Sequence, residues 1–175
     1  MVEAARRLLR GPPGGAPGGK LVVALGLAPG LEPGRAEAAA IERAGVRIVR
    51  GRTRALEAYA DCCAVASGTA TLETALFGTP LVIVYRTGAL NYAIARRVVK
   101  LAHIGLPNIV AGEEVAPELL QHDFTAGRLA EVLGVWLADP AALAARRHGL
   151  ARVRERLGEP GAARRTAEWL WELSA

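Results

Sequence analysis

Ser67, Gly68 and Thr69 close an apolar run, and Glu73 follows four residues after Thr69. A glycine at the end of a strand lets the backbone turn sharply, and its missing side chain lets a ligand approach the peptide groups. If a helix starts at that turn, its free N–H groups and its dipole attract an anion. Thr69 and Glu73 then share one face, whereas Leu72, Ala75 and Leu76 fall on the stripe toward a core. A carboxylate at Glu73 repels bare phosphate but accepts hydrogen bonds from a vicinal diol, so the pairing suits a nucleoside diphosphate. Two plainer accounts stay open: Glu73 as an acid offsetting the helix dipole, and Ser67 or Thr69 as an N-cap. Ala70 lies three residues before Glu73, so a capping box does not explain the acid.

Other candidates are less specific. Tyr85 and Arg86 end a strand-like run on the side where parallel sheets bind ligands; Arg86 can pair with phosphate, and Tyr85 can pack near a base or in the core. Asn108 follows Pro107 and fits plain turn chemistry, and Glu118 follows Pro117 and fits a first-turn helix acid. Arg96, Arg97 and Lys100 alternate with aliphatic residues, which fits either a membrane-facing basic helix or a solvated face over a core stripe. His103, His122 and His148 lack metal-ligand spacing and carboxylate neighbours, and they are assigned no role. The adjacent Cys62 and Cys63 cannot form an ordinary disulfide with each other and read as buried filler in a reducing compartment.

The elements that must position these residues follow from hydrophobic patterning. Residues 2–10 read as a short helix and residues 11–19, nearly all glycine and proline, as a loop. Residues 20–25 form an apolar run suited to a strand buried on both faces, followed by a helix from about Arg35 to Gly45. Then come strand 46–49, helix 53–59, strand 62–66, helix 70–77 and strand 81–85. This alternation predicts an α/β fold with a parallel sheet and helices on both faces. Beyond Tyr85 the pattern turns helical, at 89–101, 118–121, 125–137, 140–157 and 162–173.

A chain of 175 residues, 51% apolar and 22% charged, can bury one substantial core and lies far from disorder. Its net charge of +5 favours an anionic ligand or a membrane surface, although arginine richness also follows base composition. The opening residues lack a signal-peptide pattern and no stretch is apolar enough to span a bilayer, so a cytoplasmic protein touching membranes only from the side is expected.

The string SGTATLETALFGTPLVIVYR resembles the nucleotide-sugar loop and helix of the lipid-A-disaccharide synthases, which are GT-B glycosyltransferases. The likeness continues through NYAIARRVVK and GLPNIVAGEEVAPELLQ, three motifs in one order, and covers the chain from about Ala55 onward. The resemblance implies the carboxy-terminal, Rossmann-like half of a GT-B fold, with residues 1–19 a leading helix and loop, 20–138 the nucleotide-sugar-binding domain and 139–175 carboxy-terminal helices. It implies that Ser67, Gly68, Thr69, Ala70 and Thr71 hold a diphosphate and that Glu73 holds the ribose hydroxyls. Asn108, Glu118 and Gln121 would line the donor site.

The implied reaction transfers 2,3-diacylglucosamine from UDP to 2,3-diacylglucosamine 1-phosphate with inversion, and the motifs imply no metal or other cofactor. The expected partners are the UDP-2,3-diacylglucosamine donor, an acceptor-binding domain or subunit outside this chain, and the inner face of the inner membrane through Arg96, Arg97 and Lys100. A homodimer is a further option, and no nucleic acid is expected. The acceptor site, the general base and the family's Gly-Ser-Arg phosphate loop have no counterpart in these residues, so the chain is expected to be a fragment or one part of a split enzyme, inactive alone. Two alternatives remain. One is the donor domain of another UDP-N-acetylglucosamine-using GT-B enzyme. The other is a noncatalytic interaction module using Trp136, Trp169 and Trp171, although Trp136 suits a core better.

Overall fold

The computed structural model describes residues 1–11, 20–88 and 102–174. Its elements run α1 (Val2–Arg10), β1 (Val23–Gly26), α2 (Arg35–Arg43), β2 (Val46–Val49), α3 (Thr53–Tyr59), β3 (Cys63–Ala66), α4 (Thr69–Leu76) and β4 (Leu81–Tyr85). After the undescribed stretch come α5 (Leu106–Ala111), β5 (Glu118–Leu120), α6 (Ala126–Ala138), α7 (Pro140–Leu157) and α8 (Ala162–Ser174). All pairing among the described residues is parallel, in two ladders ordered β1-β2 and β3-β4-β5.

The central strand β4 explains the layering. Leu81, Val82, Ile83 and Val84 are all buried, and successive side chains of a strand point to opposite faces. Val82 and Val84 join Ala4 and Leu8 of α1 and Leu129, Leu133 and Trp136 of α6 in one cluster. Leu81 and Ile83 join Ala75 of α4, Ala111 of α5, and Leu150 and Val153 of α7 in another. A run of β-branched residues with no polar alternation is stable only with helices on both faces, and that is the arrangement found. Trp136 lies in the first cluster, as its core reading required, whereas Trp169 and Trp171 are exposed and α8 buries none of its residues.

Three sequence expectations are corrected. The first strand begins at Val23 rather than at residue 20, and it is not buried on both faces: Ala24 and Val22 are exposed. Its small third cluster, Ala5, Ile41, Ala44 and Val46, covers one side only. Glu118–Leu120, expected within a short helix over residues 118–121, is a strand, and the carbonyl of the preceding Pro117 accepts the Ile83 N–H at 2.9 Å. A four-residue helix closes barely one turn at full nucleation cost, whereas pairing with the edge of β4 satisfies ladder groups at once. Finally, Leu106–Ala111 forms a short helix where turn chemistry was expected, with Pro107 in its first positions and Gly112 ending it in the left-handed conformation at φ 73°. The expected helix over residues 89–101 lies outside the described residues. Among the described residues no helix is long and apolar enough to cross a membrane.

Candidate functional site at the carboxyl edge of the sheet

Parallel pairing sets Ala66 opposite Val84 and Tyr85 opposite Leu120, so Ser67, Arg86 and Gln121 leave the three strands at the same edge. The Ser67 N–H donates to the Val84 carbonyl at 2.9 Å and the Gln121 N–H to the Tyr85 carbonyl at 2.9 Å, extending the ladder by one step. At this edge the chain turns through Gly68, at φ 155° and ψ −168°, a region only glycine adopts without strain. Among the described residues the space beside Gly68 is open, with no atom beyond its chain neighbours within 4 Å of where a Cβ would lie.

Helix α4 starts immediately after. Its N-cap is Gly68 and no side chain caps it, which removes the N-cap account of Ser67 and Thr69. The Thr71 N–H and hydroxyl both donate back to the Gly68 carbonyl, at 3.1 and 2.6 Å. Among the described residues the Thr69 and Ala70 N–H groups find no acceptor, while Thr69 is exposed and Ala70 half-buried. Thr71, with 0% exposure, braces the turn from beneath. The core face of α4 also differs from the expected stripe: Thr71, Thr74 and Ala75 are buried, and Leu72 is only partly so. The two threonines enter the interior because each hydroxyl is satisfied by a backbone carbonyl, Thr74 by Ala70 at 2.8 Å.

Glu73 stands one turn further along α4, half-exposed, and is not sunk in the interior. Arg54 of α3 holds it in a two-pronged contact, Nε to Oε2 at 3.2 Å and Nη2 to Oε1 at 3.4 Å. One helical turn from Arg54 is Glu57, 6% exposed, whose Oε2 has no hydrogen-bond partner. Burial, and next the nearby Glu73 carboxylate, raise the Glu57 pKa above the usual carboxylate range, while Arg54 opposes them. Sequence reasoning missed both Arg54 and Glu57, since their relation to Glu73 depends on how α3 packs on α4.

Asn108 and Glu118 meet each other below this edge. Asn108 is fully buried: its Nδ2 donates to the Ala116 carbonyl at 2.7 Å and to Glu118 Oε1 at 2.8 Å, and its Oδ1 accepts from the Val115 and Ala116 N–H groups at 2.9 Å. Glu118 accepts from the Ile104 N–H and the Gly105 N–H, both at 3.0 Å, so it fastens the start of α5 to β5. His103 Nδ1 lies 3.8 Å from Glu118, a carboxylate neighbour that linear spacing concealed. Gly105 packs closely on the core, since a Cβ there would lie 2.2 Å from Ile83 Cδ1 and force that buried side chain to shift.

On the other side of Tyr85, Arg86 stacks over the Phe124 ring at 5.3 Å from its centroid and donates to the Phe124 carbonyl and, at 3.3 Å, to the Gln121 carbonyl. Gln121 holds a left-handed φ of 49°, and its side-chain amide pairs with the backbone of Thr87 at 3.1 and 3.2 Å. Tyr85, the last residue of β4, is exposed rather than packed in the core of the described residues. Cys62 and Cys63 are half-buried, one against each main core cluster, and burial raises their thiols to about 12 and about 11. Among the described residues no three metal-ligating side chains converge. Arg96, Arg97 and Lys100 lie outside the described residues.

A parallel sheet between helices, with an amide-lined turn and charged side chains at its carboxyl edge, is a Rossmann-like α/β architecture of the kind that forms half of a GT-B fold. Residues 37–170 match the family described as lipid-A-disaccharide synthetase. The chain belongs to that family. It is 49% identical over 123 residues to the lipid-A-disaccharide synthase of Syntrophus aciditrophicus, covering 70% of this chain and 32% of that one. It is 43% identical over 168 residues to the Anaeromyxobacter dehalogenans enzyme, covering 96% and 43%, and 43% identical over 177 residues to that of Myxococcus xanthus, covering 99% and 44%. The chain thus spans less than half the length of these relatives.

Proposed function

We propose that this chain is the UDP-sugar-binding half of a lipid-A-disaccharide synthase, an inverting transferase that moves 2,3-diacylglucosamine from UDP to 2,3-diacylglucosamine 1-phosphate. The observation that carries the reading is the turn after β3: two N–H groups without acceptors, on an eight-residue helix, with a reachable carboxylate one turn on. Ser67, Gly68, Thr69 and Ala70 present their backbone to the diphosphate, with Thr71 bracing them, and Glu73 takes the ribose hydroxyls. As the sugar departs, negative charge gathers on the leaving diphosphate. Amides already aimed at that position stabilise it without reorganising.

Arg86 and Tyr85 flank the nucleotide from the adjacent strand, and Gln121 closes the wall. Asn108 and Glu118 act from beneath by holding α5 and β5 in register. The acceptor pocket and the general base belong to another domain or subunit, so this chain alone binds UDP without transferring sugar. Arg96, Arg97 and Lys100 bring the assembled enzyme to anionic lipid at the inner face of the inner membrane.

Calorimetric titration of the chain with UDP tests the reading. Saturable binding is expected, lost when Glu73→Ala and UMP replace their parents in turn, since the first removes the diol acceptor and the second one phosphate. Folded protein that takes up no UDP, or chain alone that forms disaccharide, contradicts the proposal in its binding and its incompleteness respectively.

A further inference from the structure

We infer that Glu57 is a positioning residue for the donor site: when a vicinal diol occupies Glu73, the Arg54 guanidinium transfers from Glu73 to the buried Glu57 carboxyl. This rests on the reading of Glu73 as the ribose acceptor. The guanidinium lies along the edge of Glu73 shared by its two oxygens, taking one lone pair of each, so a diol that binds that same edge competes with Arg54 for it. Such a diol displaces Arg54, whose side chain, 78% exposed, is free to move.

The nearest alternative anion is on its own helix. Arg54 and Glu57 are three residues apart on α3, a spacing that puts side chains on neighbouring positions of one face. Glu57 is buried without a single hydrogen bond to it among the described residues, and its Oε2 is orphaned. Buried polar atoms are nearly always paired, so one that is unpaired beside a mobile cation marks a partner taken in another state. The charged and titratable groups facing it are Arg54 on its own helix, Glu73 from α4 and Cys63 from β3.

A proton accompanies the exchange. In the free chain burial and the Glu73 charge favour the protonated Glu57 carboxyl. Arrival of Arg54, and screening of Glu73 by the diol, favour the carboxylate, so the O–H bond of Glu57 breaks and its proton passes to solvent. Nucleotide binding should then release protons, and affinity should rise with pH through the interval between the free and bound pKa values of Glu57.

Titration calorimetry of UDP binding in buffers of different ionisation enthalpy, from pH 5 to 8, measures the release. The original chain is expected to release protons with UDP and not with 2′,3′-dideoxy-UDP, which lacks the diol. Glu57→Gln should abolish the difference and weaken UDP about fivefold above the transition, the scale of one half-exposed ion pair. Protons shed by the phosphates themselves are common to both chains and cancel. Should Glu57→Gln fail to fold, Arg54→Gln, altered at an exposed position, must abolish the same release. Binding of UDP without proton release, or release that persists in these variants, overturns the exchange while leaving the nucleotide reading intact; absence of UDP binding overturns both.

Discussion

Asn108 and Glu118 form a buried polar pair that fastens α5 to β5. Every hydrogen-bonding position of the Asn108 amide that the fold can reach is used, and Glu118 spends both oxygens on the N–H groups that open α5. Removing the amide strands two N–H groups and one carbonyl in a buried setting and takes one of two donors from Glu118 Oε1. Asn108→Ala should therefore destabilise the chain by about 2–4 kcal/mol, measured as a lower urea midpoint at unchanged m-value. A change of a few tenths of a kcal/mol would mean that water replaces the amide and the lock is looser than its geometry. The thiols give a second residue-scale expectation. Both Cys62 and Cys63 are held above their ordinary value of 9.0 by burial. Below pH 9 folded and unfolded chains carry the same thiol protons; above it only the unfolded chain ionises, so stability falls as pH rises toward 11. The slope is up to about 1.4 kcal/mol per pH unit for each thiol, and Cys62→Ala with Cys63→Ala should flatten it in urea titrations run from pH 8 to 10.5.

At the scale of elements, patterning revealed what periodicity can carry. Residues 46–49, 53–59, 81–85 and 140–157 fold as the elements expected of them, because each is a clean run bounded by turn residues. The turn at Ser67–Gly68 was visible for the same reason. What was hidden depends on tertiary pairing: Glu118–Leu120 is a strand only because β4 offers an open edge, and Arg54 and Glu57 matter only because α3 lies against α4. Likewise no local signal told that Thr71 and Thr74 would face the core, since their burial requires carbonyls one turn back. The turn itself allows a sharp test. Gly68 occupies a φ, ψ region costly for any residue with a Cβ, although among the described residues the space around it is open. Gly68→Ala should cost about 1–3 kcal/mol by backbone strain alone. If the turn also carries the diphosphate, UDP affinity should fall beyond detection in the still-folded variant; unchanged affinity would move the anion elsewhere on the sheet edge.

The whole molecule is two parallel ladders with no described strand pairing between them, and α1 is where their cores meet. Ala4 and Leu8 enter the cluster around β4 and α6, whereas Ala5 enters the cluster of α2 and β2. A helix that shares its buried face between two cores couples them, so damage on that face should weaken the whole chain rather than one side. Leu8→Ala should cost about 2–5 kcal/mol and lower a single urea transition, whether followed by Trp136 fluorescence or by helix content. UDP at a hundredfold excess over its Kd should in turn raise stability by about 2.7 kcal/mol. Because Leu8 packs in the cluster around β4 and α6, to which neither the turn after β3 nor the Arg54–Glu73 pair contributes, the two effects should add. The increment from UDP in Leu8→Ala should equal that in the original chain; a smaller one would mean that α1 transmits its packing to the nucleotide edge, and that the two ladders work as one body.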